Sequence, residues 1–196
     1  MTFEELKALD HQYTMQTYGR FDVALDHGKG ATLYGLEGEV YTDFASGIGV
    51  ASLGYGHPAW VKAVSEQAQK LQHASNLFYT EPYAKVAEKL CKRTGMAAVF
   101  FANGGGEANE GIIKLARKYS FDKYGMGRST IITLHNSFHG RTITTLQATG
   151  QDVFHQYFFP FTEGFRYADA NDLDSLEDAA GSDVCAVMME LIQGEG

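Results

Sequence analysis

Three stretches of this chain carry residue types and spacings that could do chemistry. The first is Phe101-Ala102-Asn103-Gly104-Gly105-Gly106-Glu107-Ala108-Asn109. It grows out of an apolar run that reads as a buried strand over 97–102, too short for a helix. It leads into the helical pattern Ala108, Ile112, Leu115, Ala116, Tyr119, which predicts a helix over 105–123. A strand, a glycine turn and a helix start together make an anion site. The first-turn N–H groups have no intrahelical partner, the helix dipole favours negative charge, and glycine lets a ligand approach the backbone. Phosphate is the expected anion, and a plain tight turn that binds nothing is the alternative. A dinucleotide fold would need a third small residue where Asn109 stands, and a nucleotide phosphate loop would need a lysine where Glu107 stands. Both nucleotide readings are therefore weak.

The second stretch is Ser137-Phe138-His139-Gly140-Arg141-Thr142, and the third is Glu190-Leu191-Ile192-Gln193-Gly194-Glu195-Gly196. His135 and His139 have an i,i+4 spacing that would suit a metal on a helix. The preceding Thr130-Ile131-Ile132-Thr133-Leu134 is β-branched and reads as strand, so a metal site is rejected.

These stretches need elements to hold them. After residue 95, strand and helix alternate: strands at 97–102, 129–135, 165–168 and 184–189, with helices at 105–123, 141–149 and 172–180. That order predicts a parallel-rich α/β sheet flanked by helices with right-handed crossovers. Ligands in such sheets bind beyond the C-terminal strand ends, where the loops 103–107, 136–141 and 190–196 all emerge. Residues 1–56 differ in texture and predict a small α+β lobe, with a helix from Phe3 to about Tyr13 and a hairpin over 32–44. Helices are expected after His57-Pro58 and from Thr80-Glu81-Pro82 to Gly95. The expected domains are thus 1–56, and 57–196 as the first part of a larger domain. A final apolar strand with no helix after it reads as the N-terminal portion of a longer enzyme.

Composition narrows the function class. The 196 residues are 44% hydrophobic, with 13 Phe and 11 Tyr, ample for a packed core. Net charge is −8, and no Lys/Arg stripe appears, which argues against nucleic acid and anionic membrane as partners. The start, Met1-Thr2-Phe3-Glu4-Glu5-Leu6-Lys7, has no signal-peptide character, and no run approaches the ~18 apolar residues of a membrane span. Cys91 and Cys185 fall inside predicted elements and read as reduced core residues of a cytoplasmic protein.

Taken together, Phe100-Phe101-Ala102-Asn103-Gly104-Gly105-Gly106-Glu107-Ala108-Asn109-Glu110 and the second and third stretches resemble the motifs of class III aminotransferases. These are pyridoxal-phosphate enzymes of fold type I. The likeness extends to Tyr41-Thr42-Asp43-Phe44-Ala45-Ser46-Gly47 and Gly54-Tyr55-Gly56-His57-Pro58, and within the class it is greatest to acetylornithine aminotransferases. The resemblance implies pyridoxal 5'-phosphate as cofactor, with Gly104, Gly105 and Gly106 cradling its phosphate. Phe138 would stack on its ring and Glu190 would order the crevice floor. Arg141 would hold a substrate carboxylate, and Glu195 would pair with a mobile arginine later in the family's chain. It further implies small amino-acid and 2-oxo-acid substrates, a place in arginine biosynthesis, and a homodimer in the complete protein. Three departures stand out. The family usually has Ser at 104, Ala or Thr at 106, and Pro at 191, where this chain has Gly104, Gly106 and Leu191. Ile48 stands where ornithine δ-aminotransferases tend to carry Tyr, which leans towards acetylornithine. No catalytic residue is assigned. The cofactor-binding lysine of the family lies downstream of the third stretch, and the lysines here fall on helices or in the N-terminal lobe. A truncated, non-catalytic binding or interaction module is the alternative function.

Overall fold

A computed structural model describes residues 1–195, which form two compact units, 1–81 and from Pro82 onwards. Helix α1 (Phe3–Tyr13) opens the first unit behind a reciprocal cap: the Thr2 side chain accepts from the Glu5 N–H, and the Glu5 carboxylate accepts from the Thr2 N–H. Strands β1 (Leu25–Lys29), β2 (Thr32–Gly35) and β3 (Val40–Thr42) make an antiparallel sheet in that order. The expected hairpin is β2–β3. Strand β1 had no sequence signal, because Leu-Asp-His-Gly-Lys shows no apolar alternation, and almost all of it is exposed.

A one-turn segment, α2 (Ser46–Gly49), is not a right-handed helix. Ser46, Gly47, Ile48 and Gly49 all have positive φ, 49°, 58°, 57° and 78°. A β-branched residue in the left-handed region is unusual and strained. The Asp43 carboxylate braces the turn by accepting from the N–H groups of Ala45 and Ser46, contacts that hold its pKa below the ordinary carboxylate value. Helix α3 (Pro58–Lys70) starts on its proline and completes the unit. By contact, α3 therefore groups with the hairpin, whereas the sequence had divided the chain after residue 56.

The second unit holds α4 (Glu81–Thr94), α5 (Gly105–Tyr124), α6 (Ile143–Ala148), α7 (Leu173–Ala179) and a parallel sheet. Strand β4 (Thr130–Leu134) is central, flanked by β5 (Phe165–Ala168) and β6 (Val184–Val187), in the order β5-β4-β6. The first four residues of β4 are buried, and all four are β-branched rather than alternating with exposed polar residues. Ile113 of α5, Ile131 of β4 and Ala148 of α6 form the buried cluster, with Ala116, Phe165 and Cys185 packed on it.

One expected strand is corrected. Residues 97–102 enter no ladder among the described residues. The apolar run has the composition of a strand, but it pairs with neither outer edge of the β5-β4-β6 sheet. Side chains hold the run instead. Phe101 meets Tyr83 edge-on at 4.7 Å, and Phe100 covers Gly111, where a Cβ would come within 2.9 Å of the ring.

Candidate functional site

The site is built at the C-terminal end of the parallel sheet, within the second unit. Gly104 is the N-cap of the 20-residue helix α5, with φ −164° and ψ 174° and no side chain to cap it. That extended conformation is open to any residue, and no atom lies within 4 Å of a Cβ built on Gly104 or Gly105. Neither backbone strain nor crowding inside the chain requires glycine there. What the glycines do provide is a helix start with its N–H groups bare and approachable. Glu107 turns its carboxylate back to accept from the Asn103 N–H at 2.7 Å, so that charge is spent on the chain. Both features fit a phosphate-bearing ligand.

The loop after β4 lies against this helix start. Gly140 has φ +134°, and a Cβ on it would sit 2.7 Å from the Thr145 hydroxyl and 3.0 Å from Gly106 Cα. Only glycine allows that backbone-to-backbone approach. Asn109 donates its side-chain amide to the His139 carbonyl at 2.7 Å, and the Thr142 hydroxyl donates to Glu110. Thr142 and Thr145 cap α6 reciprocally, which ends the loop in a fixed direction. Arg141 is exposed, with its guanidinium carbon 5.9 Å from the centre of the Phe138 ring.

The loop after β6 completes the arrangement. Glu190 accepts from the Phe138 N–H and from the Gly194 N–H, each at 3.1 Å. Gln193 donates to the His135 carbonyl at 3.0 Å. Helix start, aromatic–arginine loop and final loop are therefore laced chiefly by side chains bonded to main-chain groups. Gly104, Gly105, Gly106, Phe138, Arg141 and Glu190 all belong to these three segments. Glu195 is exposed at the end of the last one, and Gly196 lies outside the described residues. Among the described residues no cluster of His, Cys, Asp or Glu could hold a metal ion.

Sequence reasoning had noted Asn109 only as a misfit to a dinucleotide motif. Its signal was legible: it lies four residues before Ile113, which is buried, so a polar group on that stripe needs a partner.

His139 is 4% exposed, and its Nε2 makes no hydrogen bond among the described residues. Burial pushes its pKa below 6.5, opposed by the nearby Glu190 carboxylate. The folded protein therefore resists a proton that the unfolded chain accepts. Stability should drain away as pH falls below about 6.5 and level off once the folded-state pKa is passed. In His139→Gln that component should vanish, flattening the slope relative to wild type in urea titrations between pH 7 and 5. An unchanged slope would remove His139 from the account.

The α/β sheet with its bare helix start, aromatic–arginine loop and carboxylate-braced third loop has the fold of solved pyridoxal-phosphate aminotransferases, on which it superposes. The profile of the family described as Aminotransferase class-III matches residues 13–196, and the chain belongs to that family. It is 57% identical to the acetylornithine aminotransferase of Haemophilus ducreyi, covering 100% of this chain and 50% of that protein. It is 44% identical to the enzyme of that name from Methanocaldococcus jannaschii, covering 100% and 49%. Among solved structures, an ornithine aminotransferase from Toxoplasma gondii, with partial occupancy of PLP at its active site, superposes with a TM-score of 0.93. It is 32% identical, over 98% of this chain and 46% of that one. The acetylornithine aminotransferase of Elizabethkingia anophelis gives a TM-score of 0.81 at 29% identity, over 100% and 46%. The chain thus spans about half the length of the relatives it matches. No helix among the described residues is long and apolar enough to cross a membrane.

Proposed function

We propose that this chain is the N-terminal part of a pyridoxal-phosphate-dependent aminotransferase that moves an amino group from acetylornithine, or a similar ω-amino acid, to 2-oxoglutarate. The convergence of the bare α5 N-terminus with the Phe138–Arg141 loop carries the reading. The main-chain N–H groups of Gly105 and Gly106 would hold the cofactor phosphate, with Gly104 opening the turn to it. Phe138 would cover one ring face. Glu190 acts indirectly: by accepting from the Phe138 N–H it fixes the height of that ring. When bound, the cofactor supplies an electron sink for the carbon that loses its proton. Arg141 would orient the substrate by a two-pronged pair with its carboxylate, a geometry lysine cannot supply. Glu195 would hold a later arginine of the full-length protein. The names of the relatives and the Ile48 position support acetylornithine over ornithine as amino donor. Residues 1–56 form the family's small lobe in this reading, and 57–196 the first part of the cofactor domain. A cytoplasmic homodimer in arginine biosynthesis is the setting.

Gly104 offers the test. In the family a serine hydroxyl at this position can reach the phosphate, and the extended φ with open space around it admits serine here without strain. A hydrogen bond to a charged acceptor is worth about 1.5–3 kcal/mol, and losing a glycine's freedom in the unfolded state adds up to ~1 kcal/mol of stability. Gly104→Ser in the full-length protein should tighten pyridoxal phosphate about tenfold or more and leave free pyridoxal unchanged. An equal gain for both ligands would show that this loop is not the phosphate cradle.

A further inference from the structure

We propose that Asn109 is a positioning residue that sets the distance between the phosphate cradle and the Phe138 ring, and so makes the two halves of the cofactor site act as one. The inference rests on the cofactor reading above and adds to it a residue that touches neither ligand nor substrate. Asn109 sits one turn into α5, on the stripe that faces the interior, and is half-buried. Its amide crosses 30 residues of sequence to reach the His139 carbonyl, the main-chain group directly after Phe138. The same carbonyl precedes Gly140, whose backbone rests against Gly106 of the cradle. Above this contact, Glu110 takes the Thr142 hydroxyl. The loop that carries the ring is therefore docked at three points on the first two turns of the helix whose start carries the bare amides. The glycine contact is non-directional, and the Glu110 contact lies at the exposed rim. From α5, the Asn109 amide is what fixes the loop's main chain by a short, directed bond, while Thr149 and Glu190 take the His139 and Phe138 N–H groups from other elements.

The consequence is specific. A ligand with both a phosphate and an aromatic ring gains from the two sites jointly only while their spacing is held, as in any bivalent contact. A ligand that uses one site gains nothing from the spacing. Asn109→Leu is close in shape, suits a helix interior and cannot donate to the carbonyl. In the full-length protein it should weaken pyridoxal phosphate about tenfold, the usual scale for stranding a half-buried carbonyl. Inorganic phosphate and free pyridoxal, each titrated alone, should change by less than twofold. Amide exchange at 138–141 should quicken at the same time.

Wild type is the control that separates the two readings. If it binds pyridoxal phosphate no better than pyridoxal, the cradle itself is wrong. If it prefers pyridoxal phosphate and Asn109→Leu keeps that preference intact, Asn109 does not couple the sites. Equal weakening of all three ligands also overturns the proposal, since it would mark a merely structural role. Should the leucine variant fail to fold, Asn109→Ala, which leaves room for water at the carbonyl, is measured in the same way and read by the same outcomes.

Discussion

A polypeptide of these 196 residues is expected to show no transaminase turnover, and borohydride is expected to trap no pyridoxal phosphate on it. Covalent capture needs an amine that is neutral and close to the cradle. Several lysines are engaged with other groups of the chain. Lys92 pairs with Glu88 on α4, Lys118 with Asp122 on α5 and Lys62 with Glu66 on α3. Lys7 is bonded to Asp22, which raises its pKa, and the Tyr124 and Tyr119 hydroxyls raise that of Lys123. A raised pKa leaves less neutral amine at pH 7 to act as nucleophile. Lys114 and Lys118 lie two and more turns along α5 from its glycine start, the wrong end of the helix for a group that must reach the ligand. Reduction followed by peptide mass mapping checks the expectation. One labelled lysine beside the cradle would overturn it, and would favour a self-sufficient site over one that needs a later segment.

The second large effect concerns Arg141. In the full-length protein, Arg141→Lys should weaken amino-acid substrates by roughly 2–3 kcal/mol in kcat/KM while cofactor affinity stays nearly the same. The exposed guanidinium lies 5.9 Å from the centre of the Phe138 ring and belongs to a loop whose main chain is bonded by Glu190 and Asn109. Lysine keeps the charge and loses the fork, so the change isolates geometry from electrostatics. Steady-state kinetics with pyridoxal phosphate titrated in parallel separates the two roles. Equal loss of cofactor and substrate binding would mean that Arg141 holds the loop together instead.

The helices and the parallel strands were legible because their signals are local. Pro58 and Gly95 mark helix ends, and Thr-Ile-Ile-Thr-Leu announces a buried strand. The three candidate loops stand out in the sequence, since glycine, arginine and glutamate interrupt the apolar runs there. What the sequence hid was pairing. Strand β1 owes its existence to β2 and not to its own polar residues. Residues 97–102 look like a strand yet find no neighbour among the described residues, because strand character is completed by a partner. At Ser46–Gly49 the glycines announce an irregular passage but not its left-handed course, which includes Ile48 and starts at the Asp43 carboxylate's bonds to the Ala45 and Ser46 N–H groups. Within the site, the motif residues were readable and the lacing was not. Nothing local shows that Asn109 bonds to a carbonyl 30 residues away, or that one carboxylate, Glu190, serves two loops.

The central claim is that the bare N-terminus of α5 is the phosphate half of a cofactor site whose other half is the Phe138 loop. The most direct measurement is a calorimetric titration of the full-length wild-type protein with pyridoxal phosphate and with free pyridoxal under identical salt and pH. The two ligands share the ring and the aldehyde and differ only in the phosphate. Charge-assisted bonds from a helix start predict a preference for the phosphorylated ligand of at least about tenfold. That preference should shrink when inorganic phosphate is added as competitor. Equal affinities, or a preference that inorganic phosphate leaves untouched, would contradict the assignment.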